Sequence, residues 1–336
     1  MGGGGTFYDR DIADGYKTNS SGVSKQAEEK LSRSRLDSAL LPKNRTIRSK
    51  ARSPVIYTFD VTASMGTLPQ VIYDKMPLIA GQIVENRYLD DPEVSLAAIG
   101  DVKCDQAPIQ IGDFSPMRKL DDWLQRLWLE GGGGGNGGES YEFTAYYYAR
   151  YCEIPNAVTP FLLMTGDEPI RETLYKSELE KHFGGKHETV ETKDVFDELK
   201  KKFKGNVFLI YASHGDGSSD RVIEQWQRMI GKERVIVLGA DKAVADVTLG
   251  IFAVMTGSRT LDEYCEDMKT KRDKAQSKSR IEEVRKTLQQ LTALAPSKQV
   301  VRAQSGKKSR TVRAEASEEG ASTPTAGRKK NKPGRI

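Results

Sequence analysis

The chain has 336 residues, 37% of them hydrophobic and 29% charged, with a formal net charge of +5 at pH 7. That length holds one large α/β domain with extensions or two small domains, and the polar balance places part of the chain outside any core. Three scattered cysteines, Cys104, Cys152 and Cys265, argue against a disulfide framework or a zinc site, and no apolar run reaches the roughly 20 residues of a membrane span.

The N-terminal stretch MGGGGTFYDRD has no apolar signal-peptide core, so the cytoplasm is the expected compartment. Gly2 and Thr6 fit an N-myristoylation pattern, but the preferred reading of this stretch is a flexible polyglycine start. Residues 1–52 read as a polar extension with one short amphipathic helix near Ala27 to Leu41.

From Ser53 the pattern becomes apolar strands alternating with helices. VIYTFD is a strand, and LPQVIYDKMPLIAGQIVENRYL is a helix with an apolar stripe through Val71, Leu78, Ile79 and Ile83. EVSLAAIGD is a second strand, PIQIGDF a short edge strand and MRKLDDWLQRLWLE a helix that runs into glycines. ESYEFTAYYYARYC reads as a further helix, and VTPFLLMTGDEP, NVFLIYASH and RVIVLGA as three more strands separated by helices. The expectation is an α/β domain over 53–258, with a Rossmann-like, doubly wound and mainly parallel sheet and one short antiparallel edge strand. Residues 259–296 read as one long charged helix with Ile281, Val284, Leu288 and Leu291 in its apolar stripe, which would pack on the sheet domain or meet a partner helix.

Residues 297–336 carry 11 Lys/Arg against 3 Asp/Glu, so the tail holds +8 and the remainder of the chain −3. Such a tail is expected to be disordered and to attract polyanions weakly, and it lacks aromatic side chains for base stacking.

Ligands on a parallel sheet bind at the carboxyl ends of its strands. Three strands here end in acids, at Asp60, Asp101 and Asp167. After Asp60 come Thr62 and Ser64 at alternate positions, the DxTxS pattern. One carboxylate with two hydroxyls suits a hard divalent ion such as Mg²⁺, with a second acid, Asp167, from another strand end. Taken alone, DxTxS also reads as a helix cap whose hydroxyls satisfy turn amides. The run GGGGGNGGES lacks the Gly-Lys-Ser/Thr of a phosphate loop. His214 follows an apolar strand and reads as a loop histidine rather than a general base.

FDVTASM, then GGES, then LLMTGDEP, spread over about 54–256, resemble the von Willebrand factor A (vWA) family. The likeness is to its intracellular branch, including vWA domains associated with alpha-kinases. In that branch IGDVKCD, GGESYEF and TGDEP also have counterparts. The resemblance implies a metal-ion-dependent adhesion site holding Mg²⁺ (or Mn²⁺/Ca²⁺). Carried over residue by residue, it implies Asp60, Thr62 and Ser64 from the first loop, Ser140 in the position of the family's Thr, and Asp167 as the distal acid. Glu139 or Thr144 are alternatives to Ser140, and Asp101 is a further candidate. The chain departs from the pattern in having Thr62 for the commoner Ser, Ser140 for Thr, and an extra Gly166 before Asp167. The implied function is non-catalytic binding of a protein partner that presents Glu or Asp to the ion, beside a MoxR-type AAA+ ATPase or a kinase, with no membrane contact. Two alternatives stand beside it. One is a Mg²⁺-dependent phosphatase of the haloacid dehalogenase type, which would need an acid where Thr62 stands. The other is polyanion binding through the tail.

Overall fold

The computed structural model describes residues 36–128, 139–212, 219–270 and 276–296. The N-myristoylation pattern, residues 27–35 of the expected first helix, the glycine run, His214 and the basic tail lie outside the described residues. The compact unit that carries the fold ends at Ala295.

The β-branched and aromatic runs form the strands. These are β1 (Ser53–Asp60), β2 (Pro92–Ile99), β3 (Ile109–Ile111), β4 (Ser115–Pro116), β5 (Phe161–Gly166), β6 (Val207–Ala212) and β7 (Val235–Leu238). They make one sheet in the order β7-β6-β5-β1-β2-β3, with β4 beside β2. β7, β6, β5, β1 and β2 run parallel, while β3 and β4 pair antiparallel with β2. The protein is thus mixed α/β with a mainly parallel sheet.

All eight residues of β1 are buried, as expected of a central parallel strand covered on both faces. Its alternation divides the core. Val55, Tyr57 and Phe59 enter one apolar cluster, and Ile56 enters the other. The first face carries α1 (Leu68–Asn86), and the second carries α2 (Tyr141–Arg150), α3 (Lys176–Phe183), α4 (Thr192–Lys202) and α5 (Ser219–Ile230). The first face is completed by α6 (Val244–Met255), α7 (Leu261–Thr270) and α8 (Lys278–Leu288). α6 is apolar on nearly every side and buried from Val244 to Val254, the pattern of a helix enclosed by its neighbours. A side chain at Gly250 would collide with Leu288 and Tyr264, so the glycine lets α7 and α8 approach.

The C-terminal region differs from the single long helix read over 259–296. It contains two helices, α7 and α8, and Ser277 starts the second by accepting a hydrogen bond from the Arg280 amide at 3.2 Å. Between them the sequence Thr270–Lys274 offers no apolar side chain to bury. Ile281, Val284, Leu288 and Leu291 are all buried in the first core, so the stripe packs on the sheet domain. The expected polar extension also differs, because its described part is docked. Leu40, Ile47 and Ala51 are buried, and Ile47–Arg48 pairs in parallel with Cys152–Glu153. The helix read in MRKLDDWLQRLWLE is short, a 3₁₀ turn Met117–Lys119 leading into Leu120–Leu124.

Each margin of the sheet meets a glutamine. Gln110 of β3 donates to the Trp128 carbonyl at 2.6 Å and accepts from its amide at 2.8 Å. Gln290 donates to the Val235 carbonyl of β7 at 2.8 Å.

Candidate cation site at the ends of β1 and β5

From β1 the chain proceeds to β2 on one side and later returns to place β5 on the other. The ends of β1 and β5 therefore flank the point where strand order reverses, which is where a crevice opens in such sheets. Asp60 has the parity of Ile56 and so points to the α2 face. Its carboxylate is fully buried. Oδ1 accepts from the Thr62 amide at 2.8 Å and from the Thr62 hydroxyl at 2.6 Å. Thr62 and Ser64 stand on a short 3₁₀ turn, Ala63–Met65, and Gly66 closes it at φ +56°, a conformation that favours glycine. Thr62 Oγ1 and Ser64 Oγ lie 3.1 Å apart, and Ser64 donates to Asp167 Oδ1 at 3.3 Å. One line of closely spaced oxygens thus joins Asp60, Thr62, Ser64 and Asp167, with two hydroxyl protons to share among its three short gaps.

Sequence reasoning missed Tyr141. Its hydroxyl donates to Asp60 Oδ2 at 2.6 Å and accepts from the Asp167 amide at 3.2 Å. Phe59 pairs with Thr165, so Asp60 and Gly166 follow side by side on neighbouring strands. A Cβ at Gly166 would collide with the Tyr141 hydroxyl. The residue that looked like an insertion is the slot through which Tyr141 reaches both aspartates. Helix α5 fixes the loop beyond. The Tyr141 ring meets Trp226 edge-on at 5.4 Å. Trp226 Nε1 donates to the Glu168 carbonyl at 3.0 Å, and the Gln225 amide bonds the Ile170 backbone in both directions at 2.9 and 2.7 Å.

The site is acidic. Burial pushes Asp60 up to about 7, against the opposing hydrogen bonds from Thr62 and Tyr141, and the Asp167 charge adds to the rise. Glu139 is 2% exposed, and its Oε2 has no hydrogen-bond partner. Burial first, then the charges of Asp60, Glu168 and Asp167, push it up to about 8. The same three acids thus act on Glu139 as lie along the crevice.

The other candidates are engaged elsewhere. Ser140 Oγ accepts from the Val102 amide at 2.9 Å. The Thr144 hydroxyl turns back to the Ser140 carbonyl at 3.4 Å within α2. Asp101 Oδ1 accepts from the Lys103 amide at 2.8 Å in its own turn. Among the described residues, no group of three or more His, Cys, Asp or Glu side chains is placed to hold a metal ion. Any cation held here would draw on the hydroxyls of Thr62 and Ser64 as well as on the aspartates.

Comparison with known proteins adds little. No family model matches the chain, and no curated protein matches it. The pilus adhesin SpaC from Lactobacillus rhamnosus GG aligns at 8% identity over 63% of this chain and 31% of the adhesin, with a TM-score of 0.40. Proximal thread matrix protein 1 from the mussel byssus aligns at 10% identity over 62% of this chain and 48% of that one, also with a TM-score of 0.40. The chain spans under half the length of either protein, and at these scores the likeness assigns it no activity. No helix among the described residues is long and apolar enough to cross a membrane.

Proposed function

We propose that this chain is a non-catalytic, cation-dependent protein-binding module of the vWA kind, with an adhesion-type site at the ends of β1 and β5. The observation that carries this reading is the continuous line of oxygens from Asp60 through Thr62 and Ser64 to Asp167 at the switch point of the sheet. The donors fit a hard divalent ion, Mg²⁺ first and Mn²⁺ or Ca²⁺ beside it, because all are oxygen and none is soft. The orphaned Oε2 of Glu139 supports the same reading, since a buried unpaired carboxylate beside other acids is stabilised by a positive charge. When bound, the ion supplies an electrophilic position to which a partner's Glu or Asp can bind. Asp60, Thr62, Ser64 and Asp167 orient that position, and Tyr141 holds the two aspartates in register. An intracellular assembly with an AAA+ ATPase or a kinase is the setting that the sequence resemblance suggests.

The phosphatase reading is less well supported. The position two residues after Asp60 carries Thr62, whose hydroxyl is spent on Asp60 itself, so no second acid stands there to protonate a leaving group.

Thermal melting tests the cation site. A ligand at 100 times its Kd stabilises the fold by about 2.7 kcal/mol, so excess Mg²⁺, Mn²⁺ or Ca²⁺ should raise the Tm of the wild type and leave Asp60→Asn unmoved. Identical melting of the two proteins with and without these ions would sink the reading. A pull-down should lose its partners in EDTA and with Ser64→Ala. Partners that persist through both would place binding on another surface.

A further inference from the structure

The second acid of the cation reading, Asp167, lies just beyond the end of β5. It heads a loop, and a loop offers a ligand only as firmly as its backbone is held. The four residues Asp167 to Ile170 are restrained one by one. The Asp167 amide donates to the Tyr141 hydroxyl at 3.2 Å. The Glu168 carbonyl accepts from Trp226 Nε1 at 3.0 Å. Pro169 fixes its own φ and keeps Glu168 out of the helical region. Ile170 exchanges two hydrogen bonds with the Gln225 side-chain amide, from its N–H at 2.9 Å and to its carbonyl at 2.7 Å.

Gln225 and Trp226 are consecutive residues of α5, a helix that carries none of the candidate ligands. Tyr141 is tied to the same helix, because its ring rests edge-on against Trp226 at 5.4 Å while its hydroxyl holds Asp60 Oδ2 at 2.6 Å. The placing of Asp167 relative to Asp60 is thus referred to one helix. A residue kept only to fill the core would not need these groups. Trp226 is 1% exposed and meets Phe196 edge-on at 5.7 Å, which a phenylalanine would do as well.

Resting on the cation reading above, we propose that Gln225 and Trp226 are positioning residues of the cation site, and that the seat of α5 sets its affinity. When α5 shifts, the loop carries the Asp167 carboxylate with it relative to Ser64 Oγ, now 3.3 Å away, while Asp60 stays on β1. The coupling is reciprocal, so a bound cation stabilises the seat of α5 by the same factor.

Titration of the full chain with terbium(III), a hard oxygen-seeking ion, tests this by direct excitation of the ion and by competition with Ca²⁺ and Mg²⁺. Gln225→Ala should weaken terbium and Ca²⁺ binding about tenfold, the scale for groups that orient ligands. Trp226→Phe, which keeps a ring and loses Nε1, should also weaken it. Gln225→Met keeps the length of the side chain without its bonds, and it serves if the Ala variant does not fold. Ile230→Val trims the buried face of α5 one turn beyond Trp226. It should lower the Tm and leave affinity unchanged. Hydrogen exchange in α5 should slow when terbium binds the wild type. Unchanged affinity in the Gln225 and Trp226 variants, with Asp60→Asn abolishing binding, would overturn the role of α5 and leave the cation site standing. So would an equal loss of affinity in Ile230→Val, since stability alone would then account for it. No terbium or Ca²⁺ binding by the wild type, or binding indifferent to Asp60→Asn, would overturn both.

Discussion

Two glutamates at the start of one helix, both buried, meet different surroundings. Glu142 and Glu139 are both buried and three residues apart on the chain. Glu142 accepts from the Arg171 guanidinium at 2.6 Å, and Arg171 donates in turn to Glu178 at 3.1 Å. The Arg171 guanidinium also lies over the Phe143 ring at 5.1 Å. Burial raises Glu142, and the arginine opposes the rise. The charges that act on Glu139 are like ones instead, while Oε2 of both glutamates meets no donor. The same residue type, buried in both places, is paired with an arginine in one and acted on by other acids in the other.

The largest expected effect breaks the comparison from the Glu142 side. Glu142→Ala leaves Arg171 with only the half-buried Glu178, and breaking a buried pair costs about 3 kcal/mol. Urea denaturation should show a lower midpoint at unchanged slope, whereas Glu139→Ala in EDTA should hold or raise the midpoint. Equal losses in the two variants would erase the distinction.

The effect of pH is intermediate. Asp60 sits at about 7 and Glu139 at about 8, both above ordinary carboxyl values of 3.8 and 4.5. Each is raised in the fold, so between about pH 4 and pH 8 the folded chain holds protons that the unfolded chain has released. Stability is then greatest at the acid end of that window and falls as pH rises through it. In EDTA the Tm should drop by about 5 °C between pH 5 and pH 8. Glu139→Gln should flatten the drop, and so should a saturating divalent ion. A Tm that rises with pH in EDTA would contradict the charge arrangement.

The smallest effect comes from Tyr141→Phe. It removes one hydroxyl that serves Asp60 and the Asp167 amide, and losing such a bond in a buried site costs about 1–2 kcal/mol. Cation affinity should fall together with stability, because Tyr141 aligns the two aspartates. A variant that loses stability while binding terbium(III) as before would limit Tyr141 to a packing role.

The sheet was legible in the sequence because each buried strand is a bounded apolar run, and Asp60 and Asp167 were legible because they end two of those runs. Their meeting through Thr62 and Ser64 follows from the parallel register. Tyr141 was not legible. Its role depends on helix α2 starting directly over the strand ends, and on Gly166 leaving room beside Asp60, neither of which a linear pattern encodes. Ser140 looked equivalent to a hydroxyl ligand because spacing places it near the site, but only the fold shows its Oγ turned to Val102. Glu139 could be named as a candidate from its neighbours. Its unpaired state is a property of packing. The division of the C-terminal helix at Ser277 turned on a cap, a local signal that the charged stripe around it obscured.

The side chains that reach the carbonyls of the two edge strands bear on how the sheet meets other chains. An open strand edge invites another chain to continue the ladder, which is how sheets aggregate. On the β3 margin the Arg45 guanidinium donates to the Ile111 carbonyl at 2.6 Å, while on the opposite margin Gln290 donates to the Val235 carbonyl of β7 at 2.8 Å. Each side chain takes up one outward carbonyl that a further strand would otherwise pair with. On the β7 margin, one rung of the open ladder is thus already occupied from within the same molecule.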